Sequence, residues 1–340
     1  MEIERESLDA VLHQLYQDID EHGHPHAGSR GDTLELLGVA LRLTNPRARI
    51  SRSENRGKPF SALGELLWYL SGSNTLDFIK PYVSEYEKEA VGGILEGAYG
   101  PRLMAMRGSI DQFASVDKLL RKKPGSRRAV VQLFNAEDIA TDHVEVPCTT
   151  TLQFHQREGR LHLSVTLRSN DAYWGLPHDV FCFTMIQEMM ARRLGVELGE
   201  YYHFVGSMHV YDDHLADMRA YLHEGFQQVH PMPAMPEGNP FGIVDSLLAV
   251  EARIRSGETV DADAEMRDPY WADIVRLLHV FWSRKHAAST DDHVQRLGVI
   301  RGQLASPSYA PYVDGRKDLK IRERAEAGAK PPGSEADVAK

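Results

Sequence analysis

The chain has 340 residues, 42% of them hydrophobic, and its 49 acidic against 39 basic side chains give a formal net charge of −10. That length accommodates one large core or two modest ones, and the acidic balance argues against general binding of a nucleic-acid polymer while leaving room for a locally basic pocket for a free mononucleotide. No uninterrupted apolar run reaches the ~20 residues needed to cross a bilayer. The opening MEIERESLDAVLHQLYQDI is acidic and amphipathic, unlike a secretory or transit segment. The only two cysteines, Cys148 and Cys182, argue against a disulfide framework. A cytoplasmic protein with no membrane partner is expected, in a compartment reducing enough to keep Cys148 available.

Residues 8–19 have helical spacing and end before a turn-forming run, Glu21-His22-Gly23-His24-Pro25-His26. Its histidines raise the question of a metal, but no cysteine or carboxylate cluster with ligand spacing stands beside them, so a solvated loop is the better reading. Residues 34–43 look extended, and residues 60–71 form an apolar helix carrying a single acid, Glu65. A helix over 111–120 and the basic turn Lys122-Lys123-Pro124-Gly125-Ser126 precede a strand over 128–134, with Arg127 and Arg128 at its start. Residues 150–155 and 160–168 are rich in β-branched and aromatic side chains, and Glu158-Gly159 supplies the turn of a hairpin between them. Pro177 sits where a helix can begin, and residues 180–194 keep helical spacing until Gly195 stops it. His209 and Tyr211 alternate along a strand and share a face. Beyond Pro231-Met232-Pro233-Ala234-Met235-Pro236, a linker, residues 241–255 and 271–285 read as helices whose aromatic and aliphatic stripe is a packing face. From Gly315 the chain is charged and rich in Ala, Gly, Pro and Lys, and is expected to be a disordered tail.

Four spaced motifs lie within about seventy residues: Pro147-Cys148, Arg168-Ser169-Asn170-Asp171, Gly175-Leu176-Pro177 and His209-Val210-Tyr211. In this order they resemble the thymidylate synthase family. The likeness extends to Gly64-Glu65-Leu66-Leu67-Trp68-Tyr69-Leu70, Ala98-Tyr99-Gly100, and Ser126-Arg127-Arg128 followed by Phe134-Asn135, covering roughly residues 33–214. The resemblance implies an α/β (α+β) fold, a mixed sheet with packed helices, assembled as a homodimer. Residues 1–314 would form one such domain with a helical addition at about 241–314, and residues 315–340 the tail.

It also implies chemistry. Cys148 would add to C6 of a pyrimidine nucleotide and make C5 nucleophilic, with its thiol pKa lowered by nearby arginines. Glu65 and Tyr99 would handle protons around the base. Arg168 and Ser169, with Arg127 and Arg128 lent by the partner subunit, would hold the phosphate through multidentate charge-assisted contacts. The family's loop arginine falls at Gly28 in an ungapped register, which leaves Arg30 as a displaced candidate. His209 and Tyr211 would contact the sugar. The co-substrate would be 5,10-methylenetetrahydrofolate, with Asp171 on the pterin and Gly175 in the wall; Tyr86 and Glu89 stand where the family has folate-contacting tryptophans. No metal is implied. Thr149 replaces the family's common histidine after the cysteine, and the tail lacks the apolar C-terminus that family members close over the folate.

One departure bears on the base. Two residues after Leu176-Pro177 the family has an asparagine that recognises uracil; this chain has Asp179. An amide both donates and accepts, matching uracil O4 and the N3 hydrogen, whereas a carboxyl group can accept from cytosine's amino group and, when protonated, donate to N3. Aspartate at this place resembles the CMP and dCMP hydroxymethylases, in which water rather than hydride ends the reaction. Two alternatives stay open: a reductive C5-methyltransferase on dUMP, UMP, dCMP or CMP, and a non-catalytic nucleotide- or RNA-binding regulator. Ribose against deoxyribose is not readable from these residues.

Overall fold

The computed structural model describes residues 1–28, 30–53 and 59–317; most of the expected tail lies outside them. Its strands are β1 (Glu2–Arg5), β2 (His24–Gly28), β3 (Gly31–Leu43), β4 (Val130–Gln132), β5 (Thr149–Arg157), β6 (Arg160–Asp171) and β7 (Glu197–Tyr211). Its α-helices are α1 (Leu8–His22), α2 (Pro59–Ser71), α3 (Leu76–Ile79), α4 (Tyr99–Met104), α5 (Gln112–Lys122), α6 (Gly175–Leu194), α7 (Leu215–His223), α8 (Val244–Arg255), α9 (Ala262–Glu265), α10 (Pro269–His286), α11 (Thr290–Gln303) and α12 (Ala310–Asp314). The strands form one mixed sheet in the order β1-β3-β7-β6-β5-β4, with β2 paired to β3. The β1/β3 and β6/β7 pairs are parallel and the others antiparallel. Among the described residues no helix is long and apolar enough to cross a membrane.

The β6/β7 pair explains the position of α6. Parallel neighbours need a crossover, and α6 supplies it. Leu161, Leu163, Val165 and Leu167 alternate into the core along β6, while α6 is apolar nearly all round, with Phe181, Cys182, Phe183, Met185, Ile186, Met189 and Met190 buried. Gly195 ends this helix at φ +69°, a left-handed conformation that glycine adopts without a Cβ penalty.

Three segments differ from their sequence-based expectations. Residues 24–28, expected as loop, pair antiparallel with β3; Pro25 is tolerated because β2 lies at the margin of the sheet. The strand expected over 128–134 shrinks to β4 because the N–H groups of both Leu133 and Phe134 converge on the Thr150 carbonyl, breaking the alternating ladder. β1 was too short to show a period, with Ile3 its one buried residue.

The C-terminal helices pack against α2, the helix that carries Glu65. The Tyr82 hydroxyl donates to the buried Glu251 carboxylate of α8 at 2.5 Å and accepts from Trp282 Nε1 of α10 at 2.9 Å. The other side of the Tyr82 ring covers Gly64, where an added Cβ would stand 2.1 Å from ring carbons. Gly64 is therefore required by close approach, and Gly64→Ala should destabilise the protein by about 1–3 kcal/mol, as overpacked cores do. Thermal unfolding checks this; an unchanged midpoint would mean that Tyr82 is not seated on α2.

Candidate active site

Cys148 immediately precedes β5 and is clasped by two side chains from elsewhere. Arg168 donates through Nε to the Pro147 carbonyl at 2.9 Å and through Nη2 to the Val146 carbonyl at 3.0 Å, and the same Nη2 stands 3.6 Å from the thiol sulfur. On the other side the Thr149 N–H donates to the Tyr99 hydroxyl, which donates in turn to Thr149 Oγ1, both at 3.0 Å. Thr149 thus anchors Tyr99 beside the nucleophile. The expectation of a lowered thiol pKa fails in this resting structure: burial pushes the Cys148 thiol up, Arg168 opposes that shift, and Asp179 adds to it. Arg127 and Arg128 are exposed just before β4, whose antiparallel register sets Val130 opposite Gln153 of β5, so they fall toward the far end of that strand and one chain does not bring them to Cys148.

Glu65 is buried, and both of its oxygens are engaged. Oε1 accepts from the Tyr69 hydroxyl at 3.0 Å and the Tyr86 hydroxyl at 2.7 Å; Oε2 is 2.7 Å from His178 Nδ1. The other imidazole nitrogen, Nε2, lies 3.0 Å from Ser61 Oγ. Burial alone would raise the Glu65 pKa, but the His178 hydrogen bond and charge, then Tyr86 and Tyr69, outweigh it and hold the carboxyl below its ordinary value. Tyr86 therefore turns its hydroxyl to Glu65, with its ring 5.2 Å from that of Trp68. His178 and Ser61 escaped the sequence reading. The available signal was a histidine beside Asp179, but its contact with Glu65 spans 113 positions.

Asp179 lies at the first turns of α6, as does Gly175. Its Oδ2 accepts from Asn170 Nδ2 at 2.8 Å; Asn170 Oδ1 is 3.0 Å from His203 Nε2, and His203 Nδ1 is 2.7 Å from the Tyr201 hydroxyl. Burial, then the charge of Glu65, raises the Asp179 pKa well above the usual carboxylate range, against the Asn170 hydrogen bond. Burial also pushes His203 down to about 3, so its ring is neutral. An added Cβ at Gly175 would meet Asn170 Nδ2 at 3.0 Å. The space kept by this glycine is that of the Asn170 amide.

The remaining candidates lie around the thiol. Arg30 pairs with Glu89 at 2.5 Å, and both contribute to the electrostatics of Cys148 and Tyr211. Glu145 accepts from the Gly97 N–H at 3.2 Å, and burial followed by the neighbouring Glu89 charge pushes its carboxyl up to about 7. The sequence places Glu89 only where the family has a folate-contacting tryptophan and gives Glu145 no role. Ser169 and Asp171 of β6 stand in register with Ser207 and His209 of β7. Asp171 Oδ1 accepts from the Tyr173 N–H at 2.8 Å. His209 and Tyr211 meet edge to face with ring centroids 5.2 Å apart, and burial lowers the His209 pKa. Among the described residues no group of three or more His, Cys, Asp or Glu side chains could hold a metal ion.

The ordered motifs thus converge on one region with a thiol, the buried Glu65, the half-buried Asp179 and basic groups, and a family model for thymidylate synthase matches residues 12–237. The chain belongs to the thymidylate synthase family. Within that family it is 33% identical over 235 residues to a deoxyuridylate hydroxymethyltransferase of Bacillus phage SP01, covering 64% of this chain and 61% of that protein. It is 32% identical over 190 residues to a thymidylate synthase of Symbiobacterium thermophilum, covering 52% of this chain and 66% of that one. The matched stretches thus span just under two thirds of each relative's length.

The raised pKa of Asp179 has a stability consequence. Its folded value lies above the unfolded value of about 3.9, so its contribution is fully present below that pH and is lost as pH rises through the folded pKa. Asparagine bears no such penalty. The thermal midpoint of Asp179→Asn relative to the unsubstituted protein should therefore rise between pH 4 and pH 8, by unfolding measured at each pH. A difference that stays constant would show that Asp179 is not held protonated.

Proposed function

We propose that the protein is a cytoplasmic pyrimidine nucleotide C5-hydroxymethylase acting on CMP or dCMP, with 5,10-methylenetetrahydrofolate as co-substrate and water as the final nucleophile. The observation that carries this reading is the carboxyl of Asp179, pushed well above its ordinary pKa by burial and the Glu65 charge and near enough to Cys148 and Tyr99 to act on both electrostatically. A protonated acid accepts from cytosine's amino group through one oxygen and donates to N3 through the other.

Cys148 gives up its thiol proton to a base and forms the bond to C6 as the C5–C6 π electrons move onto C5, and Arg168 offsets charge on the sulfur. The folate supplies a one-carbon unit at the methylene level. The Asp171 carboxylate suits the amino and N–H edge of a pterin, and the Trp174 ring, 54% exposed beside Gly175, offers an aromatic face. C5 bonds to the folate's one-carbon unit, the C5 proton is lost to a base and tetrahydrofolate leaves, so that an exocyclic methylene stands on C5; water then adds to the methylene carbon and loses its proton to a base. The electron pair returns through the ring, re-forms C5=C6 and expels the Cys148 thiolate. Glu65, ionised and fixed through both oxygens, is the group suited to take that proton.

The phosphate would lie against Arg168, Ser169 and Arg30, with Arg30 exchanging Glu89 for the ligand, and against Arg127 and Arg128 of a second subunit. The exposed Leu37 and Phe204 of the sheet support a self-association face there. His209 and Tyr211 are assigned to the sugar. A second reading, a uridylate substrate, is favoured by the name of the phage relative and by the ability of a neutral acid to pair with uracil in the opposite sense.

Incubation with methylenetetrahydrofolate and each of CMP, dCMP, UMP and dUMP, with products identified by mass, tests the proposal. A hydroxymethylated cytidylate with release of tetrahydrofolate is expected; a methylated product with dihydrofolate would defeat it. Cys148→Ser should reduce turnover to background while nucleotide binding persists, and near-normal activity would exclude covalent addition through this residue. For subunit sharing, equal amounts of Cys148→Ser and the Arg127→Ala, Arg128→Ala double variant should recover about a quarter of normal activity after exchange, because half the dimers then carry one intact site. No recovery with verified exchange would place the arginines elsewhere.

A further inference from the structure

Tyr201, His203 and Asn170 are buried at 1%, 0% and 4% exposure and form a single file ending on Asp179. The file can be protonated in two directions. In one, Tyr201 donates to His203 Nδ1, His203 Nε2–H to Asn170 Oδ1, and Asn170 Nδ2–H to Asp179 Oδ2. In the other every bond is reversed, Asp179 Oδ2 becomes the donor, and the Tyr201 hydroxyl hydrogen is left without an acceptor among the described residues. Buried donors are almost always satisfied, so the first direction holds. A neutral imidazole has one N–H to give, which makes the direction all-or-none along the file. Gly175 belongs to the same device, since its missing Cβ leaves room for the Asn170 amide.

We propose that Asn170, His203 and Tyr201 are positioning residues that fix which oxygen of Asp179 carries the proton, and so select between cytosine and uracil. A carbonyl oxygen is a better acceptor than a hydroxyl oxygen, so the Asn170 N–H keeps Oδ2 as the carbonyl and places the proton on Oδ1. The two bases present opposite patterns along this edge: cytosine has an amino donor beside an N3 acceptor, and uracil an O4 acceptor beside an N3 donor. An unconstrained carboxylic acid would serve either by moving its proton between oxygens. The directed file removes that freedom, so base choice resides in the whole file rather than in Asp179 alone. This inference rests on the assignment of Asp179 to the base.

The test reads binding, so that it stands apart from turnover. In the Cys148→Ser background, Kd is measured by calorimetry for CMP and UMP, with Asn170→Leu, Tyr201→Phe or Asp179→Asn added. The uracil-to-cytosine Kd ratio should fall about tenfold in Tyr201→Phe, which removes one hydroxyl, and up to a hundredfold in Asn170→Leu, within the range that sites built on buried polar pairing reach. A merely structural role would weaken both nucleotides alike. If Tyr201→Phe and Asn170→Leu leave the ratio within about twofold while Asp179→Asn moves it, the file is not the selector and the Asp179 assignment stands. If Asp179→Asn also leaves the ratio unchanged, the assignment and the inference fall together. Should Asn170→Leu not fold, Tyr201→Phe decides alone.

Discussion

Glu65 and the half-buried Asp179 act on each other electrostatically, and the electrostatics of the site follow from surroundings that move their pKa values in opposite directions. Like charges in a poorly solvated space push their pKa values apart, and the surroundings decide which group keeps the proton. Glu65 collects an imidazole and two phenols and is held below its ordinary pKa; Asp179 collects a single amide N–H, feels the Glu65 charge, and is pushed well above its own. One position therefore favours the carboxylate, an acceptor and a base, and the other favours the protonated acid, a donor and an acceptor, although their ordinary pKa values differ by less than one unit.

This division depends on packing some distance from the cleft. Glu65 rides on α2, and α2 is located by Tyr82 lying on Gly64, with Glu251 and Trp282 of the C-terminal helices locating Tyr82 in turn. Asp179 rides on α6, whose crossover between parallel strands sets its first turn against Asn170 of β6 and, through it, His203 of β7. Glycine is needed at both junctions for the same reason: a ring covers Gly64 and an amide faces Gly175 at distances that leave no comfortable room for a methyl group.

The sequence was most readable where chemistry and local period coincide. The hairpin, the central helix and the spaced motifs are each written in contiguous residues, and so were Cys148, Glu65, Arg168 and Asp179. Contacts between separate elements were not readable. His178 meeting Glu65, Tyr86 turning its hydroxyl to the same carboxylate, and Arg30 closing on Glu89 all depend on how separate elements stack, which no window of sequence reports. The direction of the thiol shift was missed because basic residues were counted without the burial that outweighs them. The short β1 and the proline-containing β2 were missed because their pairing is dictated by β3, not by their own propensity.

Burial raises the thiol pKa, and the resting arrangement of the arginines limits how far Arg168 and Arg30 offset it. Arg168 spends two donors on the carbonyls of Val146 and Pro147, so its charge braces the segment bearing Cys148 as well as facing the sulfur, and Arg30 is neutralised by Glu89. A thiol left mostly protonated reacts slowly with oxidants and stray electrophiles, because the thiolate is the reactive form. A dianionic ligand that drew Arg30 from Glu89 would uncover a further negative charge beside Glu145, whose carboxyl is pushed up to about 7 and can take up a proton near neutral pH. Proton uptake there would limit the added repulsion against Cys148, so this acid pair can buffer the local charge as the basic groups change partners.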